Sequence, residues 1–326
     1  MSAAIITIVI PTYNRAPLLR ELLTCMVSQE KDDRFSYEVL VIDDASSDNT
    51  AEVVQEIKEQ TSTPLRYVCE DGKGYTGVLN RAVQEFHGQW IAFFDDDQTT
   101  HSGWLKALFD VAEKEQASIV GGPIVLALSE SVLAGIGPVC RDLYGESPDV
   151  RHPELYTDTV PLPSGGNRLV NRSVFEQIGT FDEKMLTGGC DRDFLLRAVS
   201  AGIPMGWSRD AAGDHLIPPE RITYKHIKWY SLQWGCSFAY IDQKRWGMSK
   251  TVLSSVARIG QALLVNFPKM LLSRYQKKQG ETLDLQALLW RAVGYTRKTL
   301  HLVAPGLFPQ ESFFARVEFR RARDHS

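Results

Sequence analysis

No uninterrupted apolar run in this chain approaches the ~20 residues that a membrane-spanning helix needs, so no transmembrane segment is expected. Its five cysteines (Cys25, Cys69, Cys140, Cys190, Cys236) are odd in number, scattered, and without the close pairs that bind zinc. That pattern argues against a disulfide framework or a zinc site and for a reducing compartment, hence the cytoplasm. The opening Ser2–Ile10 lacks the basic flank of a secretory leader and reads as a first strand. No internal repeat or low-complexity tract is visible, which sets aside solenoids and disordered linkers. Nor is the chain basic overall: 36 Lys and Arg stand against 40 Asp and Glu, and no nucleic-acid partner is expected.

What the chain does have is material for a sizeable core. Its 326 residues are 44% hydrophobic and 23% charged, the balance of an ordinary globular protein with one large domain or two intimate halves. The charge is unevenly spread. From Thr251 onward there are 12 Lys and Arg against 5 Asp and Glu, a net of +7, which leaves −11 on the first 250 residues. A basic tail on an acidic body either meets something anionic, such as a phospholipid surface, or packs on that body.

Strand and helix signals alternate through the first hundred residues. Ile5–Ile10, Glu38–Ile42, Leu65–Val68 and Trp90–Phe94 read as strands; Pro17–Gln29, Thr50–Lys58 and Gly77–Phe86 read as helices. Such alternation implies β-α-β units and a mostly parallel sheet, whose ligands bind beyond the carboxyl ends of the strands. Three polar clusters stand at those ends: Pro11–Arg15, Asp43-Asp44 and Asp95-Asp96-Asp97. The last is the most informative. An aromatic-rich strand ends in three like charges, which repel one another and do nothing for the fold. Either they form a solvated acidic turn or they await a divalent cation, which takes carboxylate oxygens.

Further on, helix 102–114 and strand 119–121 precede a segment rich in Gly and Pro. An ordered element then starts at Gly165, and a helix opens after Gly188-Gly189 and runs to Ser200. From about residue 221 the pattern is helical. Leu253, Val256, Ala257, Gly260, Leu263, Leu264, Phe267, Met270 and Leu271 share one stripe, with Arg258, Gln261 and Lys269 off it. An amphipathic, basic region of this kind suits peripheral contact with the inner face of the plasma membrane, or else helix packing or homodimer formation. The expected organisation is a catalytic domain over 1–240, with halves 1–100 and 101–240, followed by a helical region over 241–326.

Taken together, "IPTYNRAPLLRELLTCMVSQ" (10–29), "VLVIDDASSDNTAEVV" (39–54), "GKGYTGVLNRAV" (72–83), "WIAFFDDDQTTHSGWLKAL" (90–108) and "LPSGGNRLVNRSVFEQIGTFDEKMLTGGCDRDFLLRAVSAG" (162–202) resemble the family 2 glycosyltransferases, with the nearest look to bacterial members that build surface glycans. The motifs cover roughly residues 5–240 in the family's order. The resemblance implies a GT-A fold, a Rossmann-like α/β sheet flanked by helices. It also implies an inverting enzyme, dependent on Mg2+ or Mn2+, that moves a sugar from a nucleotide-sugar donor (UDP-linked in the first instance) to a hydroxyl of a glycan or lipid-linked acceptor.

The roles it implies are distributed as follows. Pro11, Thr12, Tyr13, Arg15, Asp43, Asp44, Gly74, Asn80 and Asp96 would bind the nucleotide; Asp95 and Asp97, with His215, would hold the metal. Trp104, Gly166, Asn167, Gly189 and Cys190 would line the acceptor side, and Asp191 would be the general base. Each has a plainer alternative: Asp43 and Asp44 cap the next turn, Asp191 caps its helix, Trp104 packs in the core, and His215 is structural. Two positions depart from the family pattern: Cys190 stands where Glu commonly precedes the base, and Leu79 where Arg is common. Two other functions compete. A sugar nucleotidyltransferase would show a glycine-rich loop after the first strand, and Pro11–Arg15 contains no glycine. A non-catalytic nucleotide-sugar binder or phospho-receiver leaves the carboxylates at 95–97 unexplained.

Overall fold

The first strand sets the architecture. Residues Ile6–Thr12 are all buried, so the segment is a continuous apolar run covered on both faces, as parallel sheets require. The computed structural model describes residues 3–151, 162–185, 188–218 and 221–309. Parts of the Gly/Pro-rich segment (152–161) and of the basic C-terminal region (310–326) lie outside the described residues.

In chain order the elements are β1 (Ala4–Thr12), α1 (Ala16–Met26), β2 (Phe35–Asp43), α2 (Thr50–Gln60), β3 (Leu65–Cys69), α3 (Gly74–Glu85), β4 (Trp90–Phe94), β5 (Gln98–Thr99), α4 (Trp104–Glu115), β6 (Ile119–Gly121) and β7 (Ile124–Leu126). Then follow α5 (Glu130–Gly135), α6 (Pro138–Leu143), α7 (Pro148–Arg151), β8 (Asn167–Asn171), α8 (Arg172–Ile178), α9 (Cys190–Ser200), β9 (Met205–Trp207) and β10 (Gly213–His215). The chain ends in α10 (Tyr224–Trp246), α11 (Met248–Gln261), a π turn (Ala262–Asn266), α12 (Phe267–Tyr275) and α13 (Gln279–Val303).

The main sheet runs β3-β2-β1-β4-β8-β6-β9, and a small one runs β5-β10-β7. All neighbours in the main sheet are parallel except β8, which lies antiparallel to both β4 and β6. The expected mostly parallel sheet is therefore mixed, with one reversed strand. Thr12 pairs with Asp43, so β1 and β2 end at the same level, and β4 continues that edge beyond the Val9–Phe93 pairing. This register brings the three polar clusters to one rim. The core against it is aliphatic and aromatic: Phe94 meets Trp104 edge-on at 4.9 Å between ring centroids, and both are buried.

The described chain divides into two compact units. One comprises the chain to Ala127, 146–186 and Cys190–Leu216; the other takes Leu128–Gly145, 187–189 and everything from Ile217. The boundary read from the sequence at 240 falls inside α10, a single 23-residue helix whose buried side continues from Ile227 to Asp242. Within the second unit α10 and α13 approach until their backbones touch. A Cβ on Gly235 would lie 2.1 Å from the Arg291 carbonyl, and one on Gly294 would lie 2.1 Å from that of Leu232. Only glycine permits such contact. Asp284 of α13 also accepts the Val139 and Cys140 amides, capping α6 from a neighbouring helix.

Candidate active site

The loop after β1 is fastened to the loop after β2 by one asparagine. Asn14 adopts a left-handed φ of 50°, which Asn tolerates better than most residues. Its Oδ1 accepts from the Ser47 and Asp48 amides, at 2.7 and 3.3 Å. Asp48 in turn accepts from the Ala16 amide at 3.0 Å and so caps α1 from outside, besides receiving Thr50 at the start of α2. Two strand-end loops thus become one rigid floor.

On that floor the two aspartates of β2 take different parts. Asp43 is buried and fully engaged, accepting from the Ser46 amide and hydroxyl through Oδ1 and from the Tyr67 hydroxyl (2.6 Å) through Oδ2. Its turn-capping role is the one seen. Asp44 is half-buried and accepts the amide of Gly74, whose φ is +74°. Pro11 is buried inside β1 and Tyr13 is half-buried at the rim.

The carboxylates after β4 form the electrostatic centre. Asp96 Oδ2 accepts from the Thr12 hydroxyl at 2.9 Å, and Arg15 Nη1 lies 2.6 Å from Asp96 Oδ1 and 2.7 Å from Asp97 Oδ2. His215 Nε2 lies 3.5 Å from Asp97 Oδ2, brought there by the antiparallel pairing of β10 with β5. Tyr75 of α3 donates to Asp95 at 3.3 Å. Burial, and then repulsion from Asp97, Asp191 and Asp96, push the Asp95 carboxyl up to about 7. Crowded acids of this sort are what a cation relieves.

Asp191 opens α9 after Gly188 and Gly189, which hold φ values of +91° and +86°. Two consecutive glycines link it to Asp95. A Cβ on Gly165 would strike Asp191 Oδ2 at 2.6 Å, and one on Gly166 would strike Asp95 Oδ2 at 2.0 Å. The Gly165-Gly166 backbone is therefore a wall with a carboxylate against each residue. Arg168, wholly buried on β8, gives Nη2 to Asp191 Oδ1 at 2.7 Å. Its guanidinium sits over the rings of Phe93, Phe181 and Phe194 at 5.0–5.7 Å, where the ring faces compensate a charge taken from water. Arg168→Lys keeps the charge but loses the planar fork. It should cost about 1–3 kcal/mol of stability, read as a lower urea midpoint at unchanged slope.

Several sequence-assigned residues prove structural. Trp104 is fully buried and donates Nε1 to Asn167 Oδ1 at 2.8 Å, while Asn167 Nδ2 donates to the Pro123 and Ala211 carbonyls. Neither is available to an acceptor, because both complete a buried polar network. Asn80 is likewise consumed: its amide bonds both ways with the backbone of Phe181 and reaches Glu183. It fastens α3 to the loop after α8 and leaves no group for a nucleotide. Cys190 is buried, its Sγ 3.9 Å from Asp191 Oδ2, and burial pushes its thiol well above the usual range. It is a neutral neighbour to Asp191. Gly166 does line the site. Tyr75 and Arg168 were not foreseen; the signal for Arg168 was a cation at a core position of the strand pattern Asn167–Asn171.

Asp95, Asp97 and His215 supply two carboxylates and an imidazole, a donor set suited to Mg2+ or Mn2+. Among the described residues no three acidic, His or Cys side chains form a ready metal cluster. The set fits a hard cation that takes one or two carboxylates and completes its shell with phosphate oxygens and water.

Comparison with known proteins bears on the family and the fold. The sequence model of Glycosyl transferase family 2 matches residues 7–179, just over half of the chain. Glycosyltransferase AglE of Haloferax volcanii is 24% identical over 214 residues, covering 66% of this chain and 67% of AglE. The GalNAc(5)-diNAcBac-PP-undecaprenol beta-1,3-glucosyltransferase of Campylobacter jejuni is 29% identical over 121 residues, so this chain spans only 38% of that protein and matches it over 37% of its own length. Among solved structures, mannosyltransferase PcManGT of Pyrobaculum calidifontis, in complex with GDP-Man and Mn2+, superposes with a TM-score of 0.64 at 19% identity. The match covers 90% of this chain and 87% of that one, and it shows the expected GT-A-like fold with its helical C-terminal extension.

Proposed function

Because the chain belongs to glycosyl transferase family 2 and is a glycosyltransferase acting on a nucleotide-sugar donor, we propose that it is an inverting, cation-dependent enzyme that glycosylates a hydroxyl of a glycan or lipid-linked acceptor in surface-polysaccharide synthesis. The observation behind this reading is the wall at Gly165-Gly166, with Asp95 on one residue and Asp191 on the next. Metal-side and base-side carboxylates then flank one cleft, and one base suffices for direct displacement with inversion. Asp191, held by Arg168, would take the proton from the acceptor hydroxyl as it attacks the anomeric carbon. Thr12 and Arg15 hold Asp96 and Asp97 in place by hydrogen bonds and ion pairs.

A divalent cation bound at Asp95 and Asp97, with His215 beside them, would neutralise the departing diphosphate. The PcManGT complex with GDP-Man and Mn2+ supports that cofactor class. Asp44 and Tyr13, at the rim, are the residues for the nucleoside, and a uridine-linked donor is our first choice. Five free thiols and the use of nucleotide sugars favour the cytoplasm.

The test is a thermal-shift panel of UDP, GDP and CDP, each with Mn2+ and with chelator. UDP with Mn2+ should raise Tm by several degrees, since ligand at ~100 Kd adds about 2.7 kcal/mol. A larger shift with GDP would reassign the base. No shift with any nucleotide would remove the donor-site reading.

A further inference from the structure

Helices α11 and α12, with the π turn between them, are inside out by the rule for soluble helices. Their buried positions are Thr251, Ser255, Ala262, Asn266, Met270 and Ser273, mostly small or polar. Ser255 donates to Thr296 Oγ1 at 2.9 Å, and Ser273 and Thr282 share a hydroxyl contact at 2.9 Å, so hydroxyl hydrogen bonds help to hold the inner seam. Most of the large apolar residues point outward: Leu253 is 69% exposed, Leu263 61% and Leu264 80%, with Val256, Phe267 and Leu271 on the same side, while Met270 is buried. Large contiguous apolar surface on a soluble chain marks an interaction site.

Charge identifies the occupant. Between Gln243 and Gly280 the chain carries eight Lys and Arg and no Asp or Glu. Lys250, Lys269, Arg274 and Lys277 are exposed on this segment. A second copy docked two-fold would bring these cations against their own counterparts with no carboxylate to meet them. Nucleic acid would use the cations but leave the leucines in water. An anionic bilayer takes both: apolar side chains enter the acyl boundary while Lys and Arg reach the headgroups. Trp246 and Tyr275 are exposed near the two ends of the segment, and such side chains favour the headgroup level. We infer that the outer face of α11 and α12 is a docking surface for an anionic phospholipid membrane, an inference that rests on these helices alone and not on the assignment of donor or base.

The test is flotation of the full chain with phosphatidylglycerol–phosphatidylcholine vesicles and with phosphatidylcholine alone. The chain should float with the anionic vesicles and be released by high salt, because no helix among the described residues is long and apolar enough to cross a membrane. Leu263→Ser with Leu264→Ser should weaken partition at least ~10-fold, since burying an exposed leucine is favourable. Lys269→Gln with Arg274→Gln should weaken binding to the anionic vesicles by roughly 10-fold or more. Both pairs are exposed, so an unchanged Tm and UDP–Mn2+ shift would show that folding and donor binding survive. Equal flotation with both vesicle types, or indifference to the leucine pair, would overturn the inference. So would a dimer in light scattering that the leucine pair dissolves, since the face would then belong to a second copy.

Discussion

Asp97→Ala should lower transfer by roughly 1,000-fold or more and abolish the Mn2+-dependent part of the UDP thermal shift. Loss of about 4 kcal/mol of charge stabilisation at the diphosphate corresponds to that factor. Asp97 also receives Arg15 at 2.7 Å, so the alanine leaves a largely buried guanidinium that keeps its ion pair with Asp96. A fall in apo stability should accompany the lost activity. Asp95→Asn separates the two effects. The Asp95 carboxyl, raised to about 7, keeps a proton in the folded chain that the unfolded chain has already released at that pH. Above the ordinary carboxylate range, folded stability therefore falls as pH rises through about 7, and the neutral amide removes that penalty. Asp95→Asn should thus melt higher than wild type without ligand at pH ~8 and show no Mn2+-dependent shift. In wild type the Mn2+-dependent shift should fade as pH drops below about 7, where Asp95 is protonated. Full activity of either variant, or of wild type in excess chelator, would exclude a cation site at these residues.

Much of this rim was legible in the sequence because strands announce their ends. Trp90–Phe94 is apolar up to Asp95, and in a mostly parallel sheet such an ending marks the ligand edge. What could not be read was which polar residues the tertiary structure consumes. Trp104, Asn167 and Asn80 have the residue types of a binding site, yet each is buried in a hydrogen-bond network whose partners lie 44–103 residues away. Tyr75 and Arg168 were missed for the converse reason. They reach Asp95 and Asp191 from α3 and β8, a convergence that no spacing in the sequence records. The reversed β8 belongs to the same class, since strand direction is set by the long segment before it. At the C-terminus the apolar periodicity was seen, though Met270, counted on the stripe, is buried on the other side; a period of 3.6 is the same whether the stripe faces the core or solvent. Only the burial of Thr251, Ser255 and Asn266 on the opposite side decides it.

Asp191→Asn should divide chemistry from binding more cleanly than any other substitution in the site. The amide matches the carboxylate in shape, and its Oδ1 can still accept from Arg168 Nη2, now 2.7 Å away. Asn is also a good residue at a helix opening, so α9 should form as before. What disappears is the ability to take a proton from the attacking hydroxyl, worth roughly 100-fold or more in rate. The expected result is a kcat lowered by that factor, with an unchanged UDP–Mn2+ thermal shift and donor KM. Asp193 is the control. It is buried and paired with Arg197 at 2.9 Å one turn along α9, a structural ion pair. Asp193→Asn should therefore reduce stability and leave kcat of the folded enzyme near wild type. If the pattern is reversed, with kcat lost in Asp193→Asn and kept in Asp191→Asn, the base has been assigned to the wrong carboxylate. Arg168→Lys supplies the remaining arm: a guanidinium that positions Asp191 should, when replaced, lower kcat at unchanged donor KM and be silent when Asp191 is already Asn. Additive losses in the double variant would mean that Arg168 acts on the fold and not through Asp191.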